Sequence, residues 1–159
     1  MVTHANEIKK LTPEDFALIE QEHARLAGYM DRIHETCCYI DGTNSCKDCG
    51  REKLASCSGR LTSFLMDIVN IAEEHFYHEE EIMLNRSNNI ANSEYFIAHQ
   101  QAHHDILLLL ESLGKVCYQF DKSGETVNAY RRLHHQLNEI FQEHDLQFDD
   151  PFIMSVRAA

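Results

Sequence analysis

The chain has 159 residues, of which 43% are hydrophobic and 25% are charged, a composition typical of one soluble globular domain with a core. Its formal net charge of -12 repels phosphate backbones and anionic lipid surfaces. No apolar run approaches the roughly 20 residues that a membrane span needs, and no signal-peptide pattern begins the chain. We therefore expect a single domain over residues 1–159, a cytoplasmic location, and neither a nucleic-acid nor a membrane partner.

Four long helical segments are predicted, because the apolar residues recur at helical spacing and no strand-like alternation interrupts them. The first helix begins at Thr12, a capping residue, followed by Pro13, which suits the first helical position. The predicted helices cover about 12–37, 51–85, 94–118, and from the turn at 121–124 to about 150. Short connections make neighbouring helices antiparallel. The predicted fold class is all-α, an antiparallel up-down-up-down four-helix bundle.

Seven polar side chains fall on the apolar stripes of these four helices. They are His23 on the first helix, His75 and Glu79 on the second, His99 and His103 on the third, and His144 and Asp149 on the fourth. Residues four apart stand one turn apart on the same helix face. Burying such groups without partners costs roughly several kcal/mol each. A metal cluster satisfies all of them together, so the pattern predicts a metal site in the core.

The motifs around these residues resemble those of the hemerythrin family. The motifs are Gln21-Glu22-His23-Ala24-Arg25-Leu26, His75-Phe76-Tyr77-His78-Glu79-Glu80, His99-x-x-x-His103 and His144-x-x-x-x-Asp149. The resemblance covers about residues 12–150, with one motif on each predicted helix in the order of the family. A cysteine-rich segment lengthens the connection between the first two helices.

The resemblance implies a non-haem centre of two iron ions joined by an oxo or hydroxo bridge. In that centre one iron is bound by His99, His103 and His144, the other is bound by His23 and His75, and both are bridged by Glu79 and Asp149. One iron keeps an open position, at which the family binds dioxygen. Dioxygen is therefore the expected partner.

Neighbouring residues offer alternative helix registers. His78 and His104 are the rival histidines, and Glu80 and Asp150 are the rival carboxylates. We favour Glu79 and Asp149 because their spacings of four and five residues match the family motifs. The remaining histidines are expected to face solvent or helix flanks, and these are His4, His34, His78, His104, His134 and His135.

The cysteines of the connecting loop 37–57 present a separate question. They are Cys37, Cys38, Cys46, Cys49 and Cys57, and Cys46 and Cys49 form a C-x-x-C unit. Three interpretations stay open: a structural metal site holding zinc, a redox-active dithiol, or inert thiols at helix ends. Cys117 is expected to be a small buried core residue.

Dioxygen binding without turnover is the predicted function, either as a carrier or store or as the oxygen-sensing or redox-sensing input domain of a signalling protein. A sensor requires an output domain or a partner protein, and the cysteine loop favours sensing. The competing class is a di-iron enzyme acting on peroxide, dioxygen or nitric oxide. Oxygen-activating bundles typically use Glu-x-x-His pairs, which the seven ligands lack, so we expect binding rather than catalysis. A zinc-binding structural protein is a third class.

Overall fold

In a computed structural model, the structure describes residues 12–86 and 94–149. Over these ranges the chain is all-helical and contains no β-strand, as predicted. The helices are α1 (Pro13–Thr36), α2 (Arg51–Arg86), α3 (Glu94–Lys122) and α4 (Thr126–His144). A short 3-10 turn, Cys46–Asp48, precedes α2, and a π-helical turn, Asp145–Asp149, follows α4. His4 and Asp150 lie outside the described residues.

The helix ends follow from local hydrogen bonding. Thr12 Oγ1 accepts the Asp15 N–H and Asp15 returns the bond to the Thr12 N–H, both at 3.1 Å, which is a capping box. α3 is longer than predicted and ends at Lys122, because Phe120 still packs against the core. Gly124 then forms the turn with a φ of 79°, a conformation that favours glycine.

Hydrogen bonds join the start of α2 to the end of α1 and to the end of α3. Lys53, near the start of α2, donates to the carbonyl of Thr36 at the end of α1 over 3.1 Å. Ser58, also near the start of α2, donates to Asp121 near the end of α3 over 2.8 Å. α1 also contacts α4, and α3 contacts α4. The four helices therefore share one interior.

Apolar side chains fill this interior in two clusters. The larger cluster includes Ile33, Leu133 and Tyr130, whose hydroxyl donates to the carbonyl of Cys57 over 2.6 Å. A smaller cluster consists of Ile19, Ile82, Met83 and Phe96. In the sequence, His23, Glu79, His99 and His103 lie between residues of the smaller cluster and residues of the larger cluster. No helix in the described ranges is long and apolar enough to cross a membrane.

Candidate metal centre

α1 and α2 bring two histidines to a pair of carboxylates. His75 and Glu79 stand one turn apart on α2, and His75 Nε2 lies 3.1 Å from Glu79 Oε2. His23 of α1 lies across from them, with its Nε2 atom 3.2 Å from Asp149 Oδ2. Glu79, His75 and Asp149 are buried, and His23 keeps 28% of its side chain exposed. Both imidazoles therefore turn the same nitrogen toward the carboxylates.

α3 and α4 bring three further histidines to the same carboxylates. His99 Nε2 lies 2.8 Å from Glu79 Oε1 and 3.2 Å from Asp149 Oδ1. His144 Nε2 lies 3.0 Å from Asp149 Oδ1, and His103 Nε2 lies 3.1 Å from His144 Nε2. All three side chains are buried. Every histidine of the site thus directs Nε2 inward.

Interatomic distances divide the seven residues into two overlapping donor groups. In each group the donor atoms lie within 4.8 Å of one another. One group contains Glu79, His99, His103, His144 and Asp149, and the other contains His23, His75, Glu79 and Asp149. The histidines divide as the resemblance implies, and both carboxylates belong to both groups. That these groups bind iron stays a prediction.

The π-helical turn explains how residues five apart reach one site. Five steps of an α-helix rotate a side chain by about 140° from its starting direction, which would turn Asp149 away from His144. A π turn closes hydrogen bonds between residues five apart, so Asp149 returns to the His144 face. The prediction that the fourth α-helix continues to about 150 is therefore wrong, because α4 ends at His144 and the π turn follows it. Tyr95 of α3 donates to the Phe148 carbonyl over 2.6 Å and holds this turn.

Aromatic rings cover the inner histidines. Phe76 stacks on His103 with ring centroids 4.1 Å apart and an angle of 11° between the planes. Phe148 of the π turn stacks on His99 with centroids 4.9 Å apart. These contacts fix the imidazole orientations and keep water from that side of the donor cluster.

Charge around the site holds protons on some histidines and removes them from others. Burial lowers the pKa of His75 and of His99, but the surrounding carboxylates outweigh burial and raise the pKa values to about 11 and about 9. Burial and neighbouring histidines instead lower the pKa of His103 to about 2. The metal-free cluster thus keeps protons between its imidazoles and carboxylates at neutral pH.

Several inward-facing atoms fit a metal ion better than they fit one another. Both oxygens of Glu79, Oδ2 of Asp149 and Nε2 of His23 are buried without an aligned hydrogen-bond partner among the described residues. An unsatisfied buried polar atom costs about 1–3 kcal/mol. Imidazole nitrogens with carboxylate oxygens suit iron, zinc and related metals. This buried cluster can therefore hold metal.

A cavity of about 270 Å³ lies beside the group with fewer donors. Its lining includes His23, His75, Leu26, Met30 and Phe141. Asp145 also lines it, and burial together with Asp149 raises the pKa of Asp145 to about 7. A small, largely apolar molecule can therefore lie next to the His23 and His75 side of the cluster.

Sequence reasoning missed the residues that surround the donors. Glu80 was considered as a rival to Glu79, but its side chain is 22% exposed and its Oε2 atom lies 3.5 Å from Nδ1 of His103. Glu22 and His78 also contact each other beside the cluster. Each lies within three residues of a predicted ligand in the sequence, which was the available signal. His104 is exposed, as predicted.

Five of the cysteines lie near the end of α1 and the start of α2, away from the donor cluster, and Cys117 lies late in α3. All six are free thiols, with Cys37, Cys57 and Cys117 buried, Cys46 and Cys49 half-buried, and Cys38 exposed. Cys46 accepts the N–H of Val127 over 3.2 Å at the start of α4, whereas burial and the neighbouring Cys38 raise the pKa of Cys49. Within the described residues no cysteine belongs to a metal donor group. A zinc or redox role for the loop stays a prediction.

Comparisons with models of protein families, with curated proteins and with solved structures find no match. The geometry of the donor cluster, its cavity and the sequence motifs therefore carry the functional interpretation.

Proposed function

We propose that this protein binds dioxygen reversibly at a non-haem di-iron centre in a hemerythrin-like bundle. The observation that carries the proposal is the pair of donor groups sharing Glu79 and Asp149. Two carboxylates common to both groups suit a pair of metal ions held a short distance apart. Three histidines in one group and two in the other leave the second group with fewer ligands.

An antiparallel up-down-up-down arrangement of the helices is part of this proposal. Contacts of Thr36 with Lys53 and of Ser58 with Asp121 join helix ends on one side. Contacts of His99 with Glu79 and Asp149 join the opposite helix ends. This pairing of ends is what alternating helix directions produce in a bundle with short connections.

The residues of the chain favour binding over turnover. The five histidines direct Nε2 inward, and the rings of His103 and His99 stack on aromatic side chains. Glu79 and Asp149 would neutralise metal charge in this buried site. A reduced iron pair would supply the electrons needed to bind dioxygen. The cavity beside His23 and His75 gives a small ligand access to the group with fewer donors.

Metal analysis combined with visible spectroscopy tests the proposal. After anaerobic reconstitution with ferrous iron, we expect two irons per chain and a colour that appears in air and fades when oxygen is removed. Exclusive binding of zinc would identify a structural metal protein instead. Steady consumption of peroxide, dioxygen or nitric oxide in the presence of a reductant would identify an enzyme.

A second measurement separates a carrier or store from a sensor. A sensor must change conformation when its ligand binds, whereas a store need not. The loop 37–50 connects α1 to α2, and comparing its protease sensitivity in the deoxygenated and oxygenated forms measures such a change. A difference favours the input domain of a signalling protein, and equal cleavage favours a carrier or store.

A further inference from the structure

The outer nitrogen of His75 faces a buried carboxylate. His75 directs Nε2 toward Glu79, and its Nδ1 atom lies 3.7 Å from Oε1 of Glu22 on α1. Glu22 is only 8% exposed, which is unusual for a carboxylate without a partner. Because Glu22 precedes His23, the same turn of α1 supplies one inward donor and one outer contact.

Glu22 is itself held by a second histidine. Nδ1 of His78 lies 3.1 Å from Oε1 and 3.2 Å from Oε2 of Glu22. The His78 side chain is 29% exposed. The side chains of His78, Glu22 and His75 therefore follow one another from the surface to the donor cluster. Both oxygens of Glu22 therefore lie within hydrogen-bond distance of His78, and Oε1 also faces Nδ1 of His75.

A carboxylate at the outer nitrogen decides which ring nitrogen carries the proton. A neutral imidazole has one N–H, and an acceptor beside Nδ1 keeps the proton there and leaves the Nε2 lone pair for a metal. We propose that Glu22, held by His78, is a positioning residue that prepares His75 as a metal ligand. This inference rests on the proposed metal centre.

A second carboxylate lies beside the outer nitrogen of a predicted ligand, this time between α2 and α3. Glu80 follows Glu79 on α2, and its Oε2 atom lies 3.5 Å from Nδ1 of His103 on α3. In both cases a carboxylate adjacent in sequence to one ligand lies beside the outer nitrogen of a ligand on the neighbouring helix. The separations of 3.7 Å and 3.5 Å are longer than a direct hydrogen bond. We expect them to shorten when metal fixes Nε2.

Metal competition measures the effect of Glu22. The full chain and its Glu22→Ala, Glu22→Gln and His78→Ala variants are loaded with ferrous iron under argon and titrated with a chelator. Glu22→Ala should bind iron about 10- to 100-fold more weakly, and His78→Ala should show a smaller loss. Glu20→Gln, an exposed change on the same helix, is the control and should match the wild type.

The proton position gives a readout that a merely structural role does not change. In zinc-loaded protein, ¹⁵N NMR should show the His75 proton on Nδ1, shifted by its acceptor in the wild type and altered in Glu22→Gln. Glutamine keeps the volume, so folding of that variant is checked by circular dichroism. Wild-type protein that binds no metal would overturn the metal centre and this inference together. The inference alone would be overturned if the wild type binds metal and both Glu22 variants bind it with the same affinity and give the same His75 NMR signal. The metal centre would then still stand.

Discussion

Single residues contribute unequally to the cluster, because Glu79 and Asp149 belong to both donor groups whereas each histidine belongs to one. Loss of a shared carboxylate removes a ligand from both groups and leaves facing histidines without their counter-charge. Loss of a histidine such as His23 weakens one group only. The number of metal ions bound per chain therefore shows whether Glu79 and Asp149 are shared between the two donor groups.

Glu79→Gln should remove metal from both donor groups, whereas His23→Ala should remove it from one. The physical reason is that an amide cannot supply the bridging negative charge of a carboxylate. Metal content after gel filtration gives the measurement. Glu81→Gln on the same helix, where the side chain is exposed, serves as the matched control. Unchanged metal content in Glu79→Gln would mean that the carboxylate is not shared.

Tyr29 gives a residue-scale test away from the cluster. Its hydroxyl donates to Asp67 Oδ2 over 2.5 Å, and burial and Asp67 raise the pKa of Tyr29 from 10.0 to about 12. Because the folded-state pKa is raised, this stabilisation is present below about pH 10 and is lost as pH rises through 12. Tyr29→Phe should cost about 1 kcal/mol at neutral pH.

Urea unfolding of wild type and Tyr29→Phe from pH 7 to pH 11 measures this contribution. The difference in unfolding free energy should shrink above about pH 10. Tyr118→Phe, at a side chain that is 62% exposed, should have no such effect. A difference that stays constant across the range contradicts the assignment to the Tyr29 hydroxyl.

At the scale of elements, the π turn Asp145–Asp149 places one shared carboxylate, and Tyr95 ties that turn to α3. Tyr95→Phe removes the bond to the Phe148 carbonyl but keeps the ring. We expect metal binding to weaken about tenfold and the metal-free protein to lose about 1 kcal/mol of stability. Tyr77→Phe, whose hydroxyl bonds Glu81 within its own helix, is the control. Equal metal affinity in both variants would show that metal binding does not depend on the hydrogen bond from Tyr95 to the π turn.

The loop between α1 and α2 depends on one side chain of α4. Arg131 donates to the main-chain carbonyls of Tyr39, Ile40, Gly42 and Asn44. Arg131→Ala should lower stability by about 2 kcal/mol and increase protease cleavage in the loop. Arg131→Lys keeps the charge but not the planar fork, so its effect should be intermediate.

Metal binding by the donor cluster should survive loosening of this loop. A rise of about 1.5 Å per residue separates His23 from the end of α1 by about 20 Å. The Cys46→Ser and Cys49→Ser double variant and Arg131→Ala should therefore keep the metal content of wild type. Loss of metal in either variant would place the loop in structural support of the cluster.

For the molecule as a whole, periodicity predicted the four helices and placed six of the seven cluster residues on inward faces, whereas Asp149 was chosen because its spacing from His144 matches the family motif. It could not predict the π turn, because the apolar pattern around Leu146 and Phe148 is compatible with a continued α-helix. It also missed the contacts of Glu22 and Glu80, since their partners belong to other helices. Tertiary packing likewise brings the Cys46 thiol to the start of α4, where it accepts the Val127 N–H, a contact that the C-x-x-C spacing does not indicate.

Every helix contributes to the cluster, so metal removal should affect the stability of the whole fold. Without metal, the raised pKa values of His75 and His99, about 11 and about 9, mean that protons hold imidazoles and carboxylates together. That stabilisation is fully present below the unfolded histidine value of about 6.5. It is lost as pH rises through the folded-state values.

Metal binding should have the opposite dependence on pH, because a metal must displace these protons and competes better as they become scarcer. The thermal midpoints of the ferrous-loaded and metal-free forms should therefore diverge as pH rises from 6 to 9. With free iron about 1,000-fold above its dissociation constant, the stabilisation reaches about 4 kcal/mol. Thermal unfolding under argon at both pH values, with and without chelator, measures the divergence. A separation of midpoints that narrows with rising pH would show that protons and metal do not compete for the same nitrogens, and the Nε2 assignment would have to be abandoned.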